Sequence, residues 1–199
     1  MQTVLHRKDR AVVTIRQERR GDIPAREALL NDAFGETRFA KASERLREGR
    51  RPADGISLVA TEHGRVVGTV RLWHVTAGRG RHALLLGPLA VAADARKRGI
   101  GTALMQRALR LARTQGHAAV LLVGDAPYYG RFGFSAEKTG ALWLPGPCDR
   151  HRLLACELAP GSLDGASGLV AASRPPQSGL SKLVTRFGRR HRGRVPQTA

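Results

Sequence analysis

The chain has 199 residues, a formal net charge of +18 and an apolar fraction of 42%. This length suits one domain around one core, and the longest apolar run, Ala83 to Ala93, is too short to cross a bilayer and is broken by Gly87 and Pro88. Cys148 and Cys156 have neither metal-ligand nor redox spacing, and MQTVLHRKDR has no apolar signal segment, so no metal is expected and the chain reads as reduced and cytoplasmic.

In chain order, Ala11 to Gln17 predicts a first strand. Asp22 is placed to cap a helix with Pro24 in its first turn, and Ile23, Leu29, Leu30, Ala33 and Phe34 form its apolar face. Arg38 to Glu48 predicts a second, charged helix ended by Gly49. Ile56 to Glu62 and Arg65 to Val75 alternate as strands on either side of a His63-Gly64 hairpin turn. Ala83 to Val91 is nearly all apolar, as a central strand covered on both faces must be. Gly99 to Gln115 predicts a helix with Leu104, Ala108, Leu111 and Ala112 on one face and Gly116 just beyond it. Ala118 to Val123 reads as a buried strand, Pro127 to Phe132 as a short helix and Arg152 to Leu158 as a last strand. Together these predict an α/β fold, a mixed sheet with helices on both faces.

From about residue 160 the composition changes. Residues 1–160 read as one domain; 161–199 read as a Gly/Ser/Pro linker and a basic, disordered tail. Within the tail, Leu180, Leu183, Val184 and Phe187 share one helical face beside Lys182 and Arg186, ahead of Arg189-Arg190-His191-Arg192-Gly193-Arg194. Such a segment suits RNA or an anionic membrane surface, although a merely solubilising tail is the simpler reading. The charge is not confined there: residues 1–159 hold 27 Lys and Arg against 15 acids. A basic domain that holds a polyanionic small molecule needs no nucleic acid to explain it.

The most specific stretch is Arg96-Lys97-Arg98-Gly99-Ile100-Gly101-Thr102, between the central strand and the long helix. First-turn amides lack intrahelical partners, the helix dipole adds positive charge there, and glycines let backbone approach an anion closely. The spacing is neither G-x-G-x-x-G nor G-x-x-x-x-G-K-[ST]. It is R-x-x-G-x-G, and it resembles the acetyl-CoA loop of the GNAT superfamily of N-acetyltransferases. Tyr128-Tyr129-Gly130-Arg131-Phe132-Gly133-Phe134 resembles that superfamily's F-Y-x-x-x-G-F segment. The longer string from Gly124, with Leu158 to Leu163, is similar to the YhbS-like branch. The resemblance covers about residues 11–165.

The resemblance implies a GNAT-like fold: a mostly antiparallel sheet with a splayed strand pair. It implies acetyl-CoA as acetyl donor and a primary amine as acceptor, in a monomer or homodimer with no metal. The backbone amides of Arg98, Gly99, Gly101 and Thr102 would hold the pyrophosphate, with Ile100 inside the loop and Arg96, Lys97 and Arg98 adding positive field. Leu89, Ala90 and Val91 would pair with pantetheine through main-chain groups, and an N–H there would face the thioester oxygen. Tyr129 aligns with the tyrosine that protonates the departing thiolate, and Tyr128 with a packing phenylalanine.

No acid lies on Ala83 to Val91, where relatives often carry a glutamate base. His74, His82, Asp125 and Glu62 are candidates, and Asp125 reads equally as a helix cap. The first two predicted helices and the Thr76–His82 segment, with Phe34, Phe39, Arg71, Trp73 and Trp143, are candidate acceptor lining. The missing glutamate leaves room for a non-catalytic acyl-CoA sensor, and the basic tail for an acetyltransferase docked on RNA or the ribosome.

Overall fold

The computed structural model describes residues 12–174. Along the chain run β1 (Thr14–Gln17), α1 (Ile23–Phe34), β2 (Ser57–Glu62), β3 (Arg65–Ala77), β4 (His82–Leu86) and β5 (Ala90–Val91). Then follow α2 (Ile100–Thr114), β6 (Ala119–Val123), α3 (Ala126–Tyr129), β7 (Leu142–Trp143), β8 (Leu153–Glu157) and β9 (Gly168–Ala172). The sheet order is β1-β2-β3-β4-β6-β8, antiparallel except where β4 meets β6. β5 and β9 also pair with β3, the longest strand, and β7 lies parallel to β9.

Local chemistry accounts for the main boundaries. His63 and Gly64 both take positive φ, 48° and 78°, so β2 and β3 join through a tight turn whose twist matches the strands. α2 ends in a Schellman motif: the His117 N–H donates to the Ala112 carbonyl and the Gly116 N–H to that of Arg113. α1 starts with Pro24 in its first turn, but Asp22 does not cap it as expected. Its carboxylate accepts from Arg16 at 2.6 and 2.8 Å and from the Arg19 N–H at 2.7 Å. The Arg16 guanidinium holds this carboxyl down at about 2, and the pair ties β1 to the start of α1.

Strand alternation divides the core in two. Leu84, Leu86, Val120, Leu122 and Leu154 face α2, which buries Ile100, Leu104, Met105, Ala108 and Ala112 against them. Gly68 on β3 permits this approach, since a Cβ there would stand 2.9 Å from Leu104. Ala83, Leu85, Ala119, Leu121 and Leu153 face the other way, onto Ala42, Leu46, Leu142, Leu163 and Val170. α1 covers the same side further along, through Leu29 and Leu30 on Val59, Val66 and Ala90. Each fully buried leucine contributes roughly 1.5–3 kcal/mol, so the two faces together supply most of the driving force for folding.

Three expectations need correction. Arg38 to Glu48 is not a second helix. It is a 3-10 turn (Glu36–Ala40) followed by separate turns. Burial of Arg38, Ala42, Leu46 and Arg47 against the sheet overrides the helical spacing there. Ala83 to Val91 is not one strand but β4 and β5 with a break between them. Residues 161–174 are not linker: Leu163 and Ala166 are buried, and β9 pairs Val75–Ala77 through residues 170–172. Val170 is the only large buried residue in a Gly-Leu-Val-Ala-Ala strand, too weak an apolar pattern to read from sequence. The basic stretch from Leu180 to Arg194 lies outside the described residues.

Val170→Asp tests whether β9 belongs to the cooperative unit. It buries a charge, and a loss of about 3 kcal/mol or more is expected in urea unfolding. An unchanged midpoint would mean that β9 is dispensable to the fold.

Candidate active site

The break between β4 and β5 makes the site. Pro88 has no N–H to donate, and the Gly87 N–H is spent on the Arg71 carbonyl at 2.9 Å. A Cβ on Gly87 would stand 2.3 Å from the Trp73 ring, so only glycine fits as drawn. β6 pairs with β4 only at Leu84 and Leu85. Beyond them the two strands part, and a cavity of about 520 Å³ opens between them.

One wall of this cavity is the run Leu86 to Val91, with Ala90 and Val91 paired to β3 on their far side. The other is Val123, Gly124, Asp125, Tyr128 and Tyr129, from the end of β6 and the start of α3. Arg96 and Gly101 stand at the α2 end, and Phe34, Arg38, Lys41, Ser43 and Arg47 at the α1 end.

α2 begins at the cavity. Gly99 caps it with φ 79°, a left-handed conformation that a side chain would strain, and Lys97 also has positive φ, 59°. The first helical bond runs from the Ala103 N–H to the Gly99 carbonyl, at 3.0 Å. The amides of Ile100, Gly101 and Thr102 therefore precede the intrahelical ladder and are available to an anion. The Tyr128 hydroxyl lies close by, 3.1 Å from where a Cβ of Gly101 would be.

Tyr129 is set deeper. Its ring lies edge-on to Tyr128 and Phe134, with centroids 4.9 and 6.0 Å away. It covers Gly124 so closely that a Cβ there would come within 2.3 Å of it. Burial pushes the Tyr129 phenol up to about 12, so it stays protonated across physiological pH. Its hydroxyl has no hydrogen-bond partner among the described residues, which leaves it free to donate into the cavity.

The glycine loop at the start of α2, the parted strands and the half-buried phenol meet in one cavity, and comparison with known proteins gives that arrangement a family. A model of the acetyltransferase (GNAT) family matches residues 23–134. The chain is 34% identical over 154 residues to an uncharacterized N-acetyltransferase, YhbS, of Escherichia coli K12, covering 75% of this chain and 89% of the relative. The chain belongs to the GNAT acetyltransferase family. The crystal structure of the E. coli protein in complex with CoA superposes with a TM-score of 0.72 at 31% identity, over 85% of this chain and 94% of that one. A Brucella melitensis GNAT acetyltransferase in complex with acetyl-CoA gives 0.61 at 26% identity, over 82% and 97%.

Within this GNAT fold, Leu89, Ala90, Val91, Arg96, Gly101 and Tyr129 all line the cavity. Lys97, Arg98, Gly99 and Ile100 instead line an adjoining cleft with Val12, Val13 and Ile15. The Ile100 side chain is buried in the core, so only its backbone faces outward. Arg98 does not reach into the cavity: its guanidinium is held bidentately by Glu62, at 3.1 and 2.5 Å. Glu62, a candidate base, is thereby an anchor for the loop, and that pairing holds its carboxyl below the usual range.

Of the four candidate bases only Asp125 lines the cavity. It sits at the N-cap position of α3 without capping through its side chain. Among the candidate acceptor residues only Phe34 reaches the cavity. Trp73 is core, Phe39 carries the Arg38 guanidinium on its ring, and Trp143 lines a separate cleft with Thr76 and Arg79. Tyr128, read as packing, faces the cavity beneath the Arg131 guanidinium, 4.1 Å from its ring centroid. Lys41, Ser43 and Arg47 lie in the second of the two segments expected to build the acceptor pocket, although sequence reading singled out none of them, and it missed Arg152. The one available signal was the excess of cations over acids between Arg38 and Arg47.

Gly124→Ala tests the seat of Tyr129. The added methyl overlaps the phenol ring, and a loss of about 1–3 kcal/mol in denaturant stability is expected, with the ring displaced in a crystal structure. An unmoved ring would show that Gly124 does not define its position.

Proposed function

We propose that this chain transfers the acetyl group of acetyl-CoA to a primary amine by direct attack within a ternary complex, in the cytoplasm. The observation that carries this reading is the single cavity joining an open helix N-terminus, an unpaired strand edge and a protonated, half-buried phenol. The pyrophosphate would sit on the first-turn amides of α2, in the field of Arg96 and Lys97, with Arg98 and Glu62 stiffening the loop. Pantetheine would lie along Leu89 to Val91, on the edge that β6 leaves without a partner.

The chemistry is then a displacement at the thioester carbonyl. The amine nitrogen bonds to the carbonyl carbon, and the developing oxyanion takes a backbone N–H from the Leu89–Val91 segment. As the intermediate collapses the carbon–sulfur bond breaks, and the departing thiolate takes the proton of Tyr129. The nitrogen loses its proton to water, and water reprotonates Tyr129. A phenol held near 12 is a reluctant acid, so its transfer belongs late, when negative charge on sulfur is nearly complete. Cys148 and Cys156 are both free thiols, in keeping with a reducing compartment. Among the described residues no helix is long and apolar enough to cross a membrane.

Two substitutions test the assignment. Tyr129→Phe is expected to lower kcat by about 100-fold while the acetyl-CoA dissociation constant stays within about twofold, because the phenol acts mainly in the transition state. A fall in affinity with kcat unchanged would make Tyr129 a positioning residue instead. Gly101→Asp puts a carboxylate at the α2 N-terminus, with its Cβ 3.1 Å from the Tyr128 hydroxyl, which must give by a few tenths of an ångström. Isothermal titration is expected to show acetyl-CoA affinity reduced by more than about tenfold in a chain that still unfolds cooperatively. Retained affinity would move the pyrophosphate away from this helix.

A further inference from the structure

The cavity opens on both faces of the sheet. Arg96 and Gly101 mark the end beside α2, and Arg38, Lys41, Ser43 and Arg47 come from the turns after α1. The faces are opposite, because α2 packs on Leu84 and Leu86 whereas Ala42 and Leu46 pack with Leu85. A donor held at the α2 end leaves the α1 end for the acceptor, since the amine must reach the carbonyl from the side that the donor does not fill. This step rests on the acetyltransferase reading.

The cations that line the cavity away from α2 and around Tyr129 are of two kinds. Arg38 and Arg47 are buried and built in. Arg38 pairs with Glu27 and donates to the Asn31 side chain at 3.1 Å; Arg47 pairs with Glu44 at 2.6 Å and donates to the Ser43 carbonyl at 3.1 Å. Lys41 and Arg152 line the same cavity with no carboxylate partner among the described residues. The Lys41 ammonium lies 5.2 Å from the centroid of the Phe34 ring. Against these four, and Arg96 at the far end, the cavity has one carboxylate, Asp125. Unpaired cations lining a half-open cavity attract an anion and repel an ammonium.

We infer that the acceptor is a small amine that also carries an anionic group, a carboxylate or a phosphate, held by Lys41 and Arg152 while the amine points toward Tyr129. A polyamine or a lysine-rich peptide does not fit this end. The same excess of positive charge favours the neutral, nucleophilic form of the amine, so little is asked of a dedicated base. The absence of an acid on the central strand then has a physical counterpart.

The test uses the full chain and matched amines: L-alanine against L-alanine amide, O-phosphoethanolamine against ethanolamine, and spermidine as the polycation. Thiol release is measured for wild type and Lys41→Met, a change at an exposed side chain. The anionic member of at least one pair is expected to be preferred by about tenfold or more in kcat/KM, and Lys41→Met to bring that preference within about threefold. Which pair responds distinguishes carboxylate from phosphate. Preference for a neutral member or spermidine overturns the inference, as does a preference that Lys41→Met leaves intact. If acetyl-CoA binds but no amine is acetylated, inorganic phosphate is titrated into the CoA-saturated protein. Binding weakened about tenfold by Lys41→Met upholds the inference; no binding, or binding indifferent to Lys41, overturns it. Failure of acetyl-CoA to bind the wild type overturns the acetyltransferase reading itself, and this inference with it.

Discussion

Everything at the site depends on the failure of one strand to stay paired. β4 and β6 run together for two residue pairs and then separate, because Gly87 is drawn against Trp73 and Pro88 has no N–H. A continuous strand from Ala83 to Val91 would have kept β6 beside it and filled the cavity with backbone. The break costs hydrogen bonds, and it is tolerated because β5 recovers pairing with β3 at Gly68 and Thr69. The flanking core, from Leu84 to Leu122 on one face and Leu85 to Leu121 on the other, is rigid enough to hold the two strands apart.

The two ends of the gap differ in how they bear charge. At the α2 end the positive field comes from unpartnered backbone amides and from Arg96, while the guanidinium of Arg98 is committed to Glu62. Unpartnered backbone donors face this end, and the Arg98–Glu62 pair stiffens the loop that carries them. At the α1 end the reverse holds: buried arginines are fixed by Glu27 and Glu44, while Lys41 there, and Arg152 near Tyr129, present charge with no carboxylate partner among the described residues. Tyr129 sits between the ends, half-buried, a phenol whose desolvation makes it a still weaker acid, with its ring fixed by Gly124 and Phe134.

The R-x-x-G-x-G loop and the Tyr-Tyr-Gly-Arg-Phe-Gly-Phe segment could be read directly because their chemistry is local. Glycines at fixed spacing before an amphipathic helix specify a conformation within a few residues. The hairpin at His63-Gly64 and the end of α2 at Gly116 were legible for the same reason. Glu62 was misleading, since nothing in its neighbourhood shows that Arg98, 36 residues away, claims it. Arg38 to Glu48 looked like a solvated helix, and β9 looked like linker, because neither pattern records which sheet face it will cover.

By itself, then, the sequence determined the class of fold, the glycine loop that opens α2 and the tyrosine beside it, each through interactions between near neighbours in the chain. The tertiary structure alone decided that the central strand breaks, that Tyr128 as well as Tyr129 faces the gap, and that Lys41, Arg47 and Arg152 meet there. Those residues lie far apart in sequence. Their company is set by which face of the sheet each segment buries, a property of the packed whole that no single stretch of residues carries.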